Sequence, residues 1–270
     1  MMTPAPSEKG RSRLAVVLRQ GGEFVTIDDA TTALGIGRIE AAKMLARWQA
    51  QGWLRRVSRG LYAAVPLTSE RGDQVIEDPW TLVPRLFDPG YVGGASAAQH
   101  WDLTEQLFRS IFVYTTQPVR RSQQVIQDTP FVIRHIAADK MFGTRSLWRG
   151  RAKIQVSDPA RTIIDMLDDP QSGGGIRHVA DCLKAYFQRA DADPDLLIDY
   201  AARIGNGSVF KRLGFLTEWI GGPPALIEAC LGRLTSGATK LDPALASPRF
   251  VRHWQLQLPT RWKAGPGPHD

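Results

Sequence analysis

The stretch Thr26–Pro66, TIDDATTALGIGRIEAAKMLARWQAQGWLRRVSRGLYAAVP, decides the fold of this chain. It spells two short helices across a tight turn, then two short strands across a basic turn. Asp28 is placed to cap the first helix, Asp29–Leu34, because its carboxylate can accept from the unpaired N–H groups of a first turn. Gly35 ends that helix, glycine being suited to the positive φ of a helix C-terminus. Only Gly35, Ile36 and Gly37 precede a second helix, Arg38–Gln51. Helix, short glycine-containing turn, helix is the pattern of a helix-turn-helix. In the second helix Ala41, Leu45 and Trp48 recur at i, i+4 and i+7 and point inward. Arg38, Glu40, Lys43 and Arg47 are left on the outer side. After Gly52, Trp53–Val57 and Leu61–Val65 alternate as two strands around Ser58-Arg59-Gly60, and Arg55, Arg56 and Arg59 cluster on this hairpin. A helix sized for a major groove, followed by a cationic hairpin that reaches phosphates, describes a winged helix-turn-helix. A solvated face or a protein-docking module is the other use of such cations; three arginines at a hairpin tip favour DNA.

The charge distribution agrees. The 270 residues carry a net charge of +7 with a pI near 9.7, which favours a polyanionic partner. Residues 1–67 hold ten Lys and Arg against five Asp and Glu, a surplus of five out of the chain's seven in a quarter of its length. No segment approaches the roughly 20 apolar residues needed to span a bilayer. The N-terminal MMTPAPSEKGRSR is charged but has no apolar run behind it long enough for a signal peptide, so a cytoplasmic protein without a membrane partner is expected. Cys182 and Cys230 make no disulfide framework; each falls in an apolar helical pattern and reads as a buried, inert thiol.

At this length two domains are the natural expectation. The fold class is α+β: a polar leader over 1–10, taken as disordered, the winged helix-turn-helix over 11–66, a polar linker over 67–78, a larger mixed α/β domain over 79–258 with a helical end, and a tail over 259–270. Within the first domain Arg11–Gln20, with Leu14, Val17 and Leu18 on one side, forms the leading helix, and Phe24–Ile27 a strand to pair with the wing. In the second, a helix over Trp80–Phe87 ends at Asp88-Pro89-Gly90, and a small-residue helix follows over Ala95–Trp101. Ser110–Thr115 and Phe131–Ile136 have the branched and aromatic content of strands, with Arg120 and Arg121 in the loop between them. Lys153–Val156 is a further strand, before a helix over Ala160–Leu167 capped by Ser157 or Asp158, with Pro159 suited to its first turn. Ile176–Arg189 presents Val179, Leu183 and Tyr186 or Phe187 inward. Helices follow over Pro194–Ile204, Ser208–Ile220 and Pro224–Leu234, then a terminal strand over Phe250–Leu258.

Catalytic patterns are missing. The histidines at 100, 135, 178, 253 and 269 form no i, i+3 or i+4 pair, and none lies beside a cysteine in sequence, so no metal site is expected. Gly173–Gly175 follows a helix, which is not the strand–glycine–helix setting of a phosphate loop. Gly94-Ala95-Ser96-Ala97-Ala98 lacks the second glycine of a nucleophile elbow. Asp158, Arg161 and Asp165 are the most suggestive cluster. A capped helix with an i, i+4 ion pair accounts for all three, and His100 beside Trp101 reads as a partly buried histidine. No cofactor and no catalytic residue is expected.

Taken together, these motifs resemble the AbiEi antitoxins, the DNA-binding halves of type IV (abortive-infection) toxin–antitoxin pairs. The resemblance rests on four blocks in order: Gly52–Tyr62 (GWLRRVSRGLY), Tyr91–Thr104 (YVGGASAAQHWDLT), Val156–Asp165 (VSDPARTIID) and Lys211–Leu216 (KRLGFL). It implies a winged helix that binds double-stranded DNA at inverted repeats upstream of its own operon. It also implies a larger domain that counters a nucleotidyltransferase-like toxin, with or without direct contact. On that reading the DNA-facing residues are Arg38, Glu40, Lys43 and Arg47 on the second helix and Arg55, Arg56 and Arg59 on the wing. Two rival expectations are a winged-helix regulator whose second domain senses a ligand or dimerises, and a nucleic-acid-modifying enzyme with a winged-helix targeting arm.

Overall fold

Thr26, rather than Asp28, opens the first helix of the helix-turn-helix in the computed structural model, which describes residues 8–65, 78–260 and 262. The Thr26 side chain accepts from the Asp29 N–H at 3.1 Å, and the Asp29 carboxylate accepts from the Thr26 N–H at 2.8 Å. This reciprocal capping box satisfies two otherwise unpaired donors at once. A cap at Asp28 would satisfy only one, so the helix gains two residues and begins at Ile27. Most of the leader and tail and residues 67–77 of the linker lie outside the described residues, although Glu8–Gly10 already belong to the first helix.

The chain divides into two units. The first comprises the described residues up to Leu86 together with Val125–Thr129 and Trp148–Lys153. Its elements are α1 (Glu8–Gly21), β1 (Phe24–Thr26), α2 (Ile27–Leu34), α3 (Arg38–Ala50), β2 (Leu54–Ser58), β3 (Leu61–Ala64) and the short α4 (Val83–Leu86). The strands form a three-stranded sheet in the order β1-β3-β2, all antiparallel. The positive φ of 62° at Gly35 closes α2, as glycine at that position requires. Val17, Val25, Ala30, Ala41, Leu45, Trp48, Leu54 and Tyr62 make one buried cluster, so every element from α1 to β3 contributes to one small core.

The second unit comprises Phe87–Gln124, Pro130–Leu147 and the described residues from Ile154 onward. Strands β4 (Gly90–Val92), β5 (Ile111–Thr115), β6 (Gln123–Ile126), β7 (Thr129–His135), β8 (Thr144–Arg149) and β9 (Ala152–Ser157) build a mixed sheet in the order β6-β7-β5-β4-β9-β8. β4 is antiparallel to β5 but parallel to β9, and β5 is parallel to β7. Helix α5 (Gly94–His100) follows β4; α6 (Pro159–Asp168), α7 (Ile176–Phe187), α8 (Pro194–Ile204), α9 (Gly207–Trp219) and α10 (Pro224–Leu231) form the helical end. α6 is the hub of the core, with every residue from Pro159 to Leu167 buried. The expected single strand over Phe250–Leu258 is instead an antiparallel pair, β11 (Arg249–Val251) and β12 (Leu256–Leu258). Gln255, at φ 52°, reverses the chain just before β12. β10 (Thr239–Lys240) pairs parallel to β12.

Candidate nucleic-acid interface

Helix α3 buries Ala41, Leu45 and Trp48 and leaves Arg38, Glu40, Lys43 and Arg47 exposed. The division follows from spacing: 3.6 residues per turn put i, i+4 and i+7 on one side. Arg38, at the first position, pairs with Asp28 on α2, and both side chains stay about two-thirds exposed, at 67% and 72%. Such a pair is held weakly in solvent, at about 0–1 kcal/mol, so it opens readily. Lys43 and Arg47, at i and i+4, make a cationic line along the outward face.

β2 and β3 form the wing. Leu54 pairs with Ala64 and Arg56 with Tyr62, and the register shifts between Arg56 and Ser58. That irregularity and the positive φ of 80° at Gly60 turn the chain tightly at Arg59-Gly60, leaving Arg56 and Arg59 exposed. The Arg56 Nε–H donates to the Ser58 carbonyl at 3.3 Å. Arg55 differs. It is half-buried, and its guanidinium donates to the side-chain oxygen of Gln127. The Gln127 amide in turn donates to the carbonyl of Val57 at 3.2 Å and that of Arg56 at 3.4 Å.

Two features of this unit lie outside the sequence reading. Ile39, on the outward face of α3, is 75% exposed; counting apolar residues for an inward stripe passes over it. A cleft of about 500 Å³ gathers Arg19, Arg85, Arg151 and Lys153 with Glu23. Its cations come from segments more than a hundred residues apart, which no local pattern reveals.

The clusters with catalytic appeal turn out to be fully engaged in holding the second unit. Arg161 is 0% exposed. Its Nε–H donates to Asp165 at 2.8 Å, its terminal nitrogens to the carbonyls of Lys140 at 2.9 Å and Phe142 at 3.1 Å, and to the Tyr91 hydroxyl at 2.8 Å. The Tyr91 hydroxyl in turn donates to Asp165 at 3.0 Å, closing a triangle. Asp158 caps α6 through the Arg161 N–H and accepts from the Tyr200 hydroxyl at 2.9 Å. Burial pushes the Asp165 carboxyl up, against the pull of Arg161. Burial also pushes the thiols of Cys182 and Cys230 up to about 12, so neither is a ready nucleophile. Ser96 is buried, donates to the Ser110 carbonyl and accepts from the Phe112 N–H. Among the described residues no three His, Cys, Asp or Glu come together as a metal site would require, and no helix is long and apolar enough to cross a membrane.

A tri-helical core, a three-stranded sheet and a solvent-facing cationic helix and hairpin define a winged helix-turn-helix of the kind found in DNA-binding transcription regulators. Residues 12–65, from α1 to the end of β3, match the family model of the AbiEi antitoxin transcriptional regulators. The described residues from 78 onward lie outside that match, and no curated protein matches the chain.

Proposed function

We propose that the chain is the DNA-binding antitoxin of a type IV toxin–antitoxin pair, repressing its own operon and countering a nucleotidyltransferase-like toxin without catalysis of its own. One observation carries the reading: the cations of α3 and of the wing tip, Lys43, Arg47, Arg56 and Arg59, are all exposed on the module that matches a regulator family. In this reading α3 enters a major groove. Arg38, Lys43 and Arg47 lie nearest bases or phosphates, and Glu40 accepts from a cytosine amino group. Arg56 and Arg59 meet phosphates or the adjacent minor groove, and Arg55 joins them only if Gln127 releases it. Phosphate contacts of this sort fix position without reading sequence. The engaged carboxylates of the second unit support the absence of catalysis, and the protein acts in the cytoplasm.

The test is binding of the full chain to the DNA upstream of its own gene across a salt series. With about four to six phosphates neutralised, log K should fall against log salt with a slope of roughly −4 to −5; a flat dependence would remove the footprint. Co-expression with the product of the adjacent gene separates the second half of the proposal. The full chain should restore growth, and Arg56→Glu/Arg59→Glu should lose DNA binding while still restoring it.

A further inference from the structure

Resting on the DNA-binding reading above, we propose that Ile39 is a specificity residue, placed to meet the C5-methyl group of a thymine in the major groove. Six large apolar side chains are markedly exposed among the described residues, and Ile39 alone of them stands on the cationic helix. The other large apolar positions of α3 are turned inward or half-buried: Leu45 and Trp48 lie in the core, and Met44 packs against it.

The surroundings of Ile39 suit a groove better than a protein partner. Ala46 and Ala50, at i+7 and i+11, lie on the same line of the helix, and Ala42, at i+3, lies beside it. These small side chains let the helix approach a groove floor closely and leave Ile39 as the single projecting apolar group. Lys43, at i+4, and Arg47 run along one flank, and both are exposed, so the apolar ridge is edged by charge complementary to a phosphate wall. Ile39 is also the second residue of α3, and the N-terminal residues of a recognition helix are the ones that contact base edges. Its branched side chain holds essentially one χ1 rotamer in a helix, which fixes where its methyl groups point. In the major groove the apolar feature that distinguishes one base from the others is the thymine methyl.

The experiment replaces each thymine of the upstream duplex, one at a time, by uracil, which removes only that methyl. Wild type and Ile39→Ala are both measured as full-length proteins at one salt concentration. One thymine per half-site should show a loss of about fourfold with wild type, the value of one buried methyl-sized group. Ile39→Ala should bind the thymine duplex more weakly by a similar factor and be indifferent to uracil there. A scan that is flat for wild type overturns the assignment, as does a uracil penalty that persists unchanged in Ile39→Ala. So does a change in oligomeric state on Ile39→Ala with the scan flat, since that outcome assigns the side chain to a second copy. The scan of wild type alone decides the matter should the variant fold poorly. A flat scan on DNA still bound with steep salt dependence leaves the winged-helix reading standing, whereas failure to bind the upstream DNA overturns both.

Discussion

Arg161 and Arg59 carry the same guanidinium in opposite settings. Arg161, in the second unit, has no exposed surface and makes four hydrogen bonds, one of them to a buried carboxylate and two to backbone carbonyls. Arg59, at the tip of the wing, faces solvent, as does Arg56 on the adjoining strand. Burying a guanidinium demands that its donors be met by the fold, because an unpaired buried charge costs several kcal/mol. A surface arginine escapes that demand and keeps its donors for a partner. Arg212 follows the first rule: it is 4% exposed and donates to the carbonyls of Leu167 at 2.7 Å and Asp168 at 3.2 Å, where α6 ends. Arg161 and Arg212 thus tie helices and loops together in the second unit, whereas Arg56 and Arg59 in the first are presented outward.

The largest expected effect breaks the buried side of this contrast. Arg161→Met leaves the Asp165 carboxylate with only Tyr91 as a partner, takes from the Phe142 carbonyl its guanidinium donor, and leaves the Lys140 carbonyl with only the Phe142 N–H at 3.2 Å. Urea unfolding should show a loss of about 3–5 kcal/mol. Arg161→Lys should recover little, since an ammonium cannot reproduce the planar fork. Arg161→Met/Asp165→Leu should recover part of the loss, because it removes the stranded charge. A single Arg161→Met that costs under about 0.5 kcal/mol would show that the network contributes nothing to stability.

Of similar size is the alkaline limb of stability. Folded Cys182 and Cys230 hold their protons up to about pH 12, against an ordinary value of 9.0. Above pH 9 the unfolded chain therefore binds fewer protons than the folded one, and unfolding becomes easier as pH rises. Each thiol should remove about 1.4 kcal/mol per pH unit until folded thiols ionise as well. Tyr186 and Tyr200, likewise pushed up to about 12, act in the same direction above pH 10. Urea midpoints between pH 8 and 11 should fall more steeply for wild type than for Cys182→Ala/Cys230→Ala; parallel curves would refute the thiol contribution.

The winged module was readable from sequence because its signals are local. The inward triplet Ala41, Leu45 and Trp48 and the glycines at 35 and 60 each act within a few residues of themselves. Even there the cap was misplaced by two positions, since Asp28 and Asp29 are equally acidic and only the reciprocal bond to Thr26 separates them. The second unit was harder. β4 has three residues, β6 is QQVI with one buried position, and β8 carries two arginines; none has the apolar alternation that marks a strand. The Arg161–Asp165 pair was visible at i, i+4. Tyr91 and the two carbonyls lie 70, 21 and 19 residues away, and only the assembled sheet and helices bring them together.

The smallest effect on stability should come with a clear effect on binding, and it tests the exposed side of the contrast. Arg56→Met and Arg59→Met remove charge from solvent-facing positions, so each should change the unfolding free energy by less than about 0.5 kcal/mol. If each arginine meets one phosphate, each substitution should lower the magnitude of the salt slope by about one and weaken different duplexes by a similar factor. Arg55→Met is the informative control. Arg55 already donates to Gln127 within the folded unit, so its loss should alter the slope less than either neighbour's does. A fall of one full unit on Arg55→Met would mean that Gln127 gives it up on DNA. An unchanged slope with Arg56→Met and Arg59→Met together would instead place the phosphate contacts on α3, leaving the wing as a structural hairpin.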